Sequence, residues 1–261
     1  MEILDPIQVA KGGILSIQDY SVLAWRSITN LFGQPRYVGD MLQQADMIGV
    51  GSLPIVVLIG FFTGAVLALQ TSATLNQFGS LSLTGQLVSL SMVRELGPVL
   101  TALMVSGRNA SGIASELGSM KVTEQIDAMR ALGTDPTRKL VTPRVVATVI
   151  MLFFLSIISD MVGMIGGWVV SLFMLGLDSN QYWNNAYQHL VNEDLVMGLV
   201  KPVIFGFIIS SVGCYYGMQT SGGTQGVGRS TTQAVVASSV LILVLDFFIT
   251  RMIMIAFGDA I

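Results

Sequence analysis

Apolar residues fall into five long runs, at about 49–70, 86–106, 145–175, 195–219 and 232–257. Each reaches the roughly 20 residues that a helix needs to cross a bilayer's hydrocarbon core. The first contains no charged residue and is the clearest span. Ahead of it Ile14, Ile17, Tyr20, Ala24, Ile28 and Leu31 recur at helical spacing, with Asp19 and Arg26 opposite. That pattern predicts an amphipathic helix over about 12–32, lying in the membrane interface and stopped by Gly33, Gln34 and Pro35. A second amphipathic helix is predicted over about 116–133, with Val122, Ile126, Met129 and Leu132 on one face and mixed charge on the rest. Pro98 should kink the second span and free a carbonyl. Asp160 with Gly163, Gly166 and Gly167 should tilt or bend the third. Gly60 with Gly64, Gly163 with Gly167, and Gly213 with Gly217 should let helices pack closely.

Composition agrees with the runs: 52% of residues are hydrophobic, 11% are charged, and the mean hydropathy is +0.70. A soluble domain carries roughly a quarter charged residues. The chain is therefore read as an all-α integral membrane protein forming one domain over 1–261. Lys and Arg are uneven. Arg108, Lys121, Arg130, Arg138, Lys139 and Arg144 lie between the second and third runs, and Lys11, Arg26 and Arg36 precede the first, whereas 71–85 and 176–194 hold none. The positive-inside rule then puts the N-terminus in the cytoplasm and, after five spans, the C-terminus in the periplasm. The first 30 residues lack the pattern of a cleaved secretory signal, so the N-terminus is expected to be retained. Cys214 is the single cysteine, which excludes an intrachain disulfide.

Charge inside the apolar runs is the candidate chemistry. Arg94 and Glu95 lie in the second, Lys201 near the outer end of the fourth, and Asp246 in the fifth. An intramembrane charge must be paired or solvated, and it marks a functional site by default. Arg94 and Glu95 have a plainer reading as a neutral pair that snorkels to the headgroups. Asp246 with Arg251 could be a structural pair, Ser156 and Ser159 could satisfy Asp160, and Arg229 suits a positive-inside residue. Trp168, Tyr182 and Trp183 suit an interfacial anchor. The lone His189 lies in a polar outer loop without a second ligand nearby, so no metal site is expected. Arg94 and Lys201 could hold a lipid phosphate, with Glu95 and Asp246 balancing them when the site is empty. No G-x-x-x-x-G-K-[ST] occurs, so ATP chemistry belongs to another polypeptide. A proton-coupled secondary transporter using Glu95, Asp160 and Asp246 is the alternative. An intramembrane hydrolase lacks both a Gly-x-Ser-x-Gly elbow and a histidine within a span.

The blocks RELGP at 94–98, GRNASGIASELGSMKVTEQIDAM at 107–129, DP at 135–136, LVTPR at 140–144 and RSTTQAVVASSVLILVLDFFIT at 229–250 resemble the MlaE-type permease family. Its members are the membrane subunits of bacterial ABC lipid transporters that work with MCE-domain proteins. The resemblance implies a homodimeric, non-catalytic permease in the inner membrane that moves phospholipid to or from a periplasmic MCE-domain carrier. It implies a cytoplasmic ABC ATPase that carries ATP and Mg, no cofactor in this chain and no nucleic acid, and it leaves room for a small STAS-domain subunit. The segment around 123–132 maps onto the family's coupling helix, which makes Glu116, Lys121, Glu124, Gln125, Asp127 and Arg130 the candidate ATPase contacts. Arg94, Glu95, Lys201, Arg229 and Asp246 match charged positions of the family's membrane region.

Overall fold

The computed structural model describes residues 6–33 and 37–257. Among these, five helices are long and apolar enough to cross a membrane, and no strand occurs. Helix α1 (Pro6–Thr29) precedes the first span, α2 (Val38–Gln77). The second span is one continuous rod built from α3 (Thr84–Ser91), a π-helical turn Met92–Leu96, α4 (Gly97–Val105), a π-helical turn Ser106–Ala110 and α5 (Ser111–Val122). The short α6 (Gln125–Ala131) follows, then a π-helical turn Thr137–Val141 that leads into the third span, α7 (Thr142–Phe173). Helix α8 (Ser179–Gln188) joins it to the fourth span, α9 (Asn192–Met218), and α10 (Gly223–Phe257) is the fifth.

The helices outrun the apolar runs that predict them. The 40 residues of α2 make a rod of about 60 Å at 1.5 Å per residue, twice the hydrocarbon thickness. Asp40, Gln43, Gln44 and Asp46 precede the apolar run without a helix breaker, so the helix continues through the headgroup region. Spans one and three pack most extensively, because small residues let the backbones touch. A Cβ on Gly64 would collide with the Gly163 carbonyl. The core then gathers Val56, Ala102, Val105, Leu152, Leu155, Phe205 and Ile209 from four spans. Hydroxyls and amides add cross-helix bonds inside this apolar packing, such as Ser106 to Ser238 at 2.7 Å and Asn109 Nδ2 donating to Thr148 Oγ1 at 3.0 Å.

Three expectations are corrected. The 116–133 segment is not one helix: α5 runs straight out of the second span to Val122, the chain breaks at Thr123 and Glu124, and α6 begins at Gln125. Glu124 sits at φ 60°, a left-handed backbone that costs an ordinary residue about 1 kcal/mol. Ile126 is fully buried against Leu117, Leu140 and Val145, whereas Val122 and Leu132 face outward, so the supposed apolar face is divided. The outer stretch 176–194 is not a plain loop, because the Asp178 carboxylate caps α8 by accepting from the Asn180 and Gln181 N–H groups. Tyr182 is no surface anchor; it is buried, and its hydroxyl donates to the Met164 carbonyl at 3.0 Å.

Helix α1 packs on the basic end of the bundle. Tyr20 meets Ser211 at 2.9 Å and Tyr215 edge to face, while Ile14, Ile17, Trp25 and Ile28 remain exposed. Helix α10 has few buried residues, and Val240, Val244, Phe247, Phe248 and Met252 are exposed along it.

Candidate functional site

The site is built around a backbone defect. Pro98 has no N–H, so the Arg94 carbonyl one turn earlier loses its helical donor. The second span answers with the wider π-helical turn Met92–Leu96, in which the Gly97 N–H reaches back to the Met92 carbonyl. The freed Arg94 carbonyl accepts a hydrogen bond from Lys201 Nζ of α9 at 2.8 Å. Lys201 lies close enough because Gly198, one turn before it, packs on the Val93 carbonyl, where a Cβ would not fit without movement.

Lys201 is fully buried, so its ammonium must be paired. Its Nζ donates to Glu95 Oε2 at 2.6 Å and lies 2.9 Å from Asp246 Oδ1 of α10. Asp246 Oδ1 takes no hydrogen bond despite that distance, so charge alone holds it. Thr250 Oγ1 donates to the other Glu95 oxygen at 3.1 Å. Arg94 points elsewhere: its Nε pairs with Asp194, a fully buried carboxylate in the first turn of α9. The second Asp194 oxygen accepts the Val191 N–H at 2.9 Å, which fixes the start of that helix. Two cations thus meet three carboxylates, joining spans two, four and five at one level.

The cluster opens on one side. Glu95 and Arg94 side chains are each 40% exposed, which leaves part of each charge outside the protein interior. Glu95, Asp246, Thr250 and Arg251, with Leu243, Phe247 and Met254, line a groove of about 320 Å³ along α10. Fixed charges beside apolar walls are what an amphiphile with an ionic head requires.

Four of the five expected intramembrane charges, Arg94, Glu95, Lys201 and Asp246, therefore converge, whereas Arg229 does not. It is exposed in the first turns of α10, 17 residues before Asp246, about 25 Å along the helix. Asp246 pairs with Lys201 rather than with Arg251. Ser156 and Ser159 do not satisfy Asp160: its Oδ1 is buried without a hydrogen-bond partner, wedged against Gly97, and Ser156 Oγ is equally unpartnered. Sequence reasoning missed Asp194 and Thr250. An acid at the third position of a helix is a visible capping signal, but its partner lies 100 residues upstream.

At the basic end, Lys121 Nζ reaches Asp127 Oδ2 at 2.8 Å, and Arg130 reaches Asp127 Oδ1 at 3.0 Å. Lys121, and secondarily Arg130, hold the Asp127 carboxyl below its usual range. Gln125 donates to Thr123 Oγ1 at 3.1 Å across the break, and Glu124 is exposed. Glu116 belongs to a different contact, pairing with the buried Arg144 at the base of α7 at 2.8 Å. Lys121, Glu124, Gln125, Asp127 and Arg130 thus form one polar surface, with Glu116 set apart.

Comparison with known proteins places these features in context. The family model described as "Permease MlaE" matches residues 41–252, which include every member of the charge cluster. A "Probable ABC transporter permease protein" of Rickettsia bellii is 44% identical over 237 residues, covering 91% of this chain and 92% of that one. The chain is 36% identical over 225 residues to the "Intermembrane phospholipid transport system permease protein MlaE" of Haemophilus influenzae, covering 84% and 86% respectively. It is 38% identical over 221 residues to the chloroplastic "Protein TRIGALACTOSYLDIACYLGLYCEROL 1" of Arabidopsis thaliana, covering 85% of this chain and 63% of that one.

Proposed function

The chain belongs to the MlaE permease family, and from that premise we propose that it is the membrane subunit of an ABC transporter moving phospholipid between the bacterial inner membrane and a periplasmic MCE-domain carrier. Such traffic helps to maintain outer-membrane lipid asymmetry. The observation that carries this reading is the groove in which Glu95, Asp246, Thr250 and Arg251 stand beside Leu243, Phe247 and Met254. A phospholipid phosphate would displace Glu95 or Asp246 from Lys201, or Asp194 from Arg94, so the carboxylates keep the cations neutral while the site is empty.

Partly exposed charges cannot face acyl chains cheaply, so the α10 face that carries them turns towards a second copy. Two copies related by an axis along the membrane normal would enclose a lipid-sized cavity that one copy leaves open. The N-terminus and the basic surface at α6 lie in the cytoplasm, and the C-terminus and α8 in the periplasm. Helix α1, with its exposed Ile14, Ile17, Trp25 and Ile28, lies in the cytoplasmic interface. Lys121, Glu124, Gln125, Asp127 and Arg130 dock the partner ATPase, which binds ATP and Mg and does the hydrolysis, while Glu116 transmits its motion to α7 through Arg144. A small STAS-domain subunit on the cytoplasmic side completes the assembly.

Mass spectrometry of proteins and lipids on the tagged chain, extracted gently from its native membrane, tests the reading. Joint recovery of an ATPase, an MCE-domain protein and phospholipid is expected, and Arg94→Glu should lower the bound lipid while the protein partners remain. A chain recovered alone after crosslinking, with transport driven by a pH gradient, would replace this reading with the proton-coupled transporter.

A further inference from the structure

A second cavity lies at the basic end, about 310 Å³ in volume, between α2 and the second span. Met47, Ile48 and Ile113 supply its apolar wall, and Ser52, Asn109 and Arg108 its polar side. Arg108 projects from the π-helical turn Ser106–Ala110, and its Nη1 donates to Ser52 Oγ at 3.1 Å. The guanidinium lies directly over Gly51, where any Cβ would collide with it. The arginine is thus held across two spans by a hydroxyl and a bare backbone, not by an acid.

Three cations within or at the edge of the spans are neutralised, Arg94 by Asp194, Lys201 by Glu95 and Asp246, and Arg144 by Glu116. Arg108 has no carboxylate partner among the described residues. Glu116 also lines the cavity, but Arg144 occupies its carboxylate. What remains is a net positive, preorganised fork facing an unfilled space. A guanidinium fork matches a phosphate, to which it can donate two parallel hydrogen bonds.

Depth selects the kind of phosphate. Ser52 stands at the start of the uncharged run 49–70, and Arg108 just past the end of the run 86–106, so the cavity lies at headgroup level. Met47 and Ile48 precede Ser52, and Ile113 follows Arg108, so this apolar wall lies on the basic-end side of the arginine, against the headgroup. A lipid phosphate on Arg108 would send its acyl chains the other way, past Ser52 into the hydrocarbon. We propose that this cavity binds the phosphate of a phospholipid in the leaflet at the basic end, the cytoplasmic leaflet in the orientation proposed above. It is separate from the Lys201 cluster: Arg108 follows Arg94 by 14 residues, about 21 Å along the rod and more than the half-thickness of the hydrocarbon. The inference rests on the permease reading only for the orientation and for taking phospholipid as the cargo. It assigns the carrier-facing cluster and the inner leaflet a lipid site each.

The test uses the full chain in vesicles of phosphatidylethanolamine and phosphatidylglycerol, with a photoactivatable amino acid at Met47 or, as a control beside the other groove, at Phe247. After illumination, mass spectrometry counts lipid adducts per chain. Arg108→Gln should lower the Met47 adduct about tenfold, the loss expected for a charge-assisted pair, and leave the Phe247 adduct unchanged. Gly51→Ala, which keeps the arginine but displaces it, should lower the Met47 adduct as well, and it decides the matter if Arg108→Gln fails to fold. An unchanged Met47 adduct in the folded variants would overturn the proposal. Suppression of the wild-type adduct by millimolar glycerol phosphate would also overturn it, by assigning the site to a soluble phosphate. Because no ATPase is present, failure here leaves the permease reading standing, and failure of ATP-driven transfer would leave this site standing.

Discussion

Lys201 shows how one side chain can organise a membrane site. Burying an ammonium without partners costs several kcal/mol, and the chain avoids that cost with two carboxylates and a carbonyl that Pro98 has already released. Removing the lysine should therefore harm the fold more than removing one acid. Lys201→Met leaves Glu95 and Asp246 facing each other, and should lower unfolding stability in mild detergent by about 3 kcal/mol. The triple change with Glu95→Gln and Asp246→Asn should recover most of that loss, read by denaturant midpoint. Equal stability of Lys201→Met and wild type would show that the pair is solvated and that the burial argument fails. Arg94, Glu95, Lys201 and Asp246 were legible as candidates from charge within apolar runs, and the structure brings them together. Their partners were not legible, because Asp194 and Thr250 look ordinary until spans two, four and five meet.

At the scale of elements, the break between α5 and α6 controls the basic surface. The Lys121–Asp127 ion pair spans that break, Arg130 supports it from within α6, and Ile126 anchors the short helix beneath them. Exposed ion pairs add little stability, so changing them should alter docking more than folding. Asp127→Lys reverses the centre of the cluster and should uncouple ATP hydrolysis from phospholipid transfer in the reconstituted transporter, with thermal unfolding nearly unchanged. Full coupled transfer in this variant would remove α6 from the ATPase contact. Helical periodicity predicted one amphipathic helix here. It failed because period alone does not reveal a residue with positive φ, and Glu124 has none of glycine's usual claim to that backbone. Helix α8 escaped notice for a related reason: ten mostly polar residues between spans read as a loop unless Asp178 is recognised as a cap.

At the scale of the molecule, the bundle presents a charged groove beside an apolar α10. A second copy seated there would bury Phe247 and Phe248 and shield Glu95 from lipid tails. With the native Cys214 buried, Phe247→Cys should yield a disulfide-linked or bis-maleimide-linked dimer in membranes, whereas Phe154→Cys on the exposed side of α7 should not. Crosslinking at Phe154 but not at Phe247 would move the dimer interface away from the groove.

The hydrophobic runs by themselves determined that the chain is a five-span helical membrane protein, because each backbone crossing hydrocarbon must satisfy its own hydrogen bonds within a helix about 20 residues long. Uneven Lys and Arg placement determined which loops form the basic end, and the local blocks of sequence carried the family resemblance. Only the tertiary structure decided which charges share a site. Ion pairing depends on distance in space, and helices of 27 to 42 residues bring Arg94 to Asp194 and Glu95 to Lys201 across about a hundred intervening positions. It alone excluded Arg229 from that site, left Asp160 unpartnered, and set Arg108 over Gly51 without an acid, because each outcome depends on how neighbouring helices are rotated, and the runs do not specify that rotation.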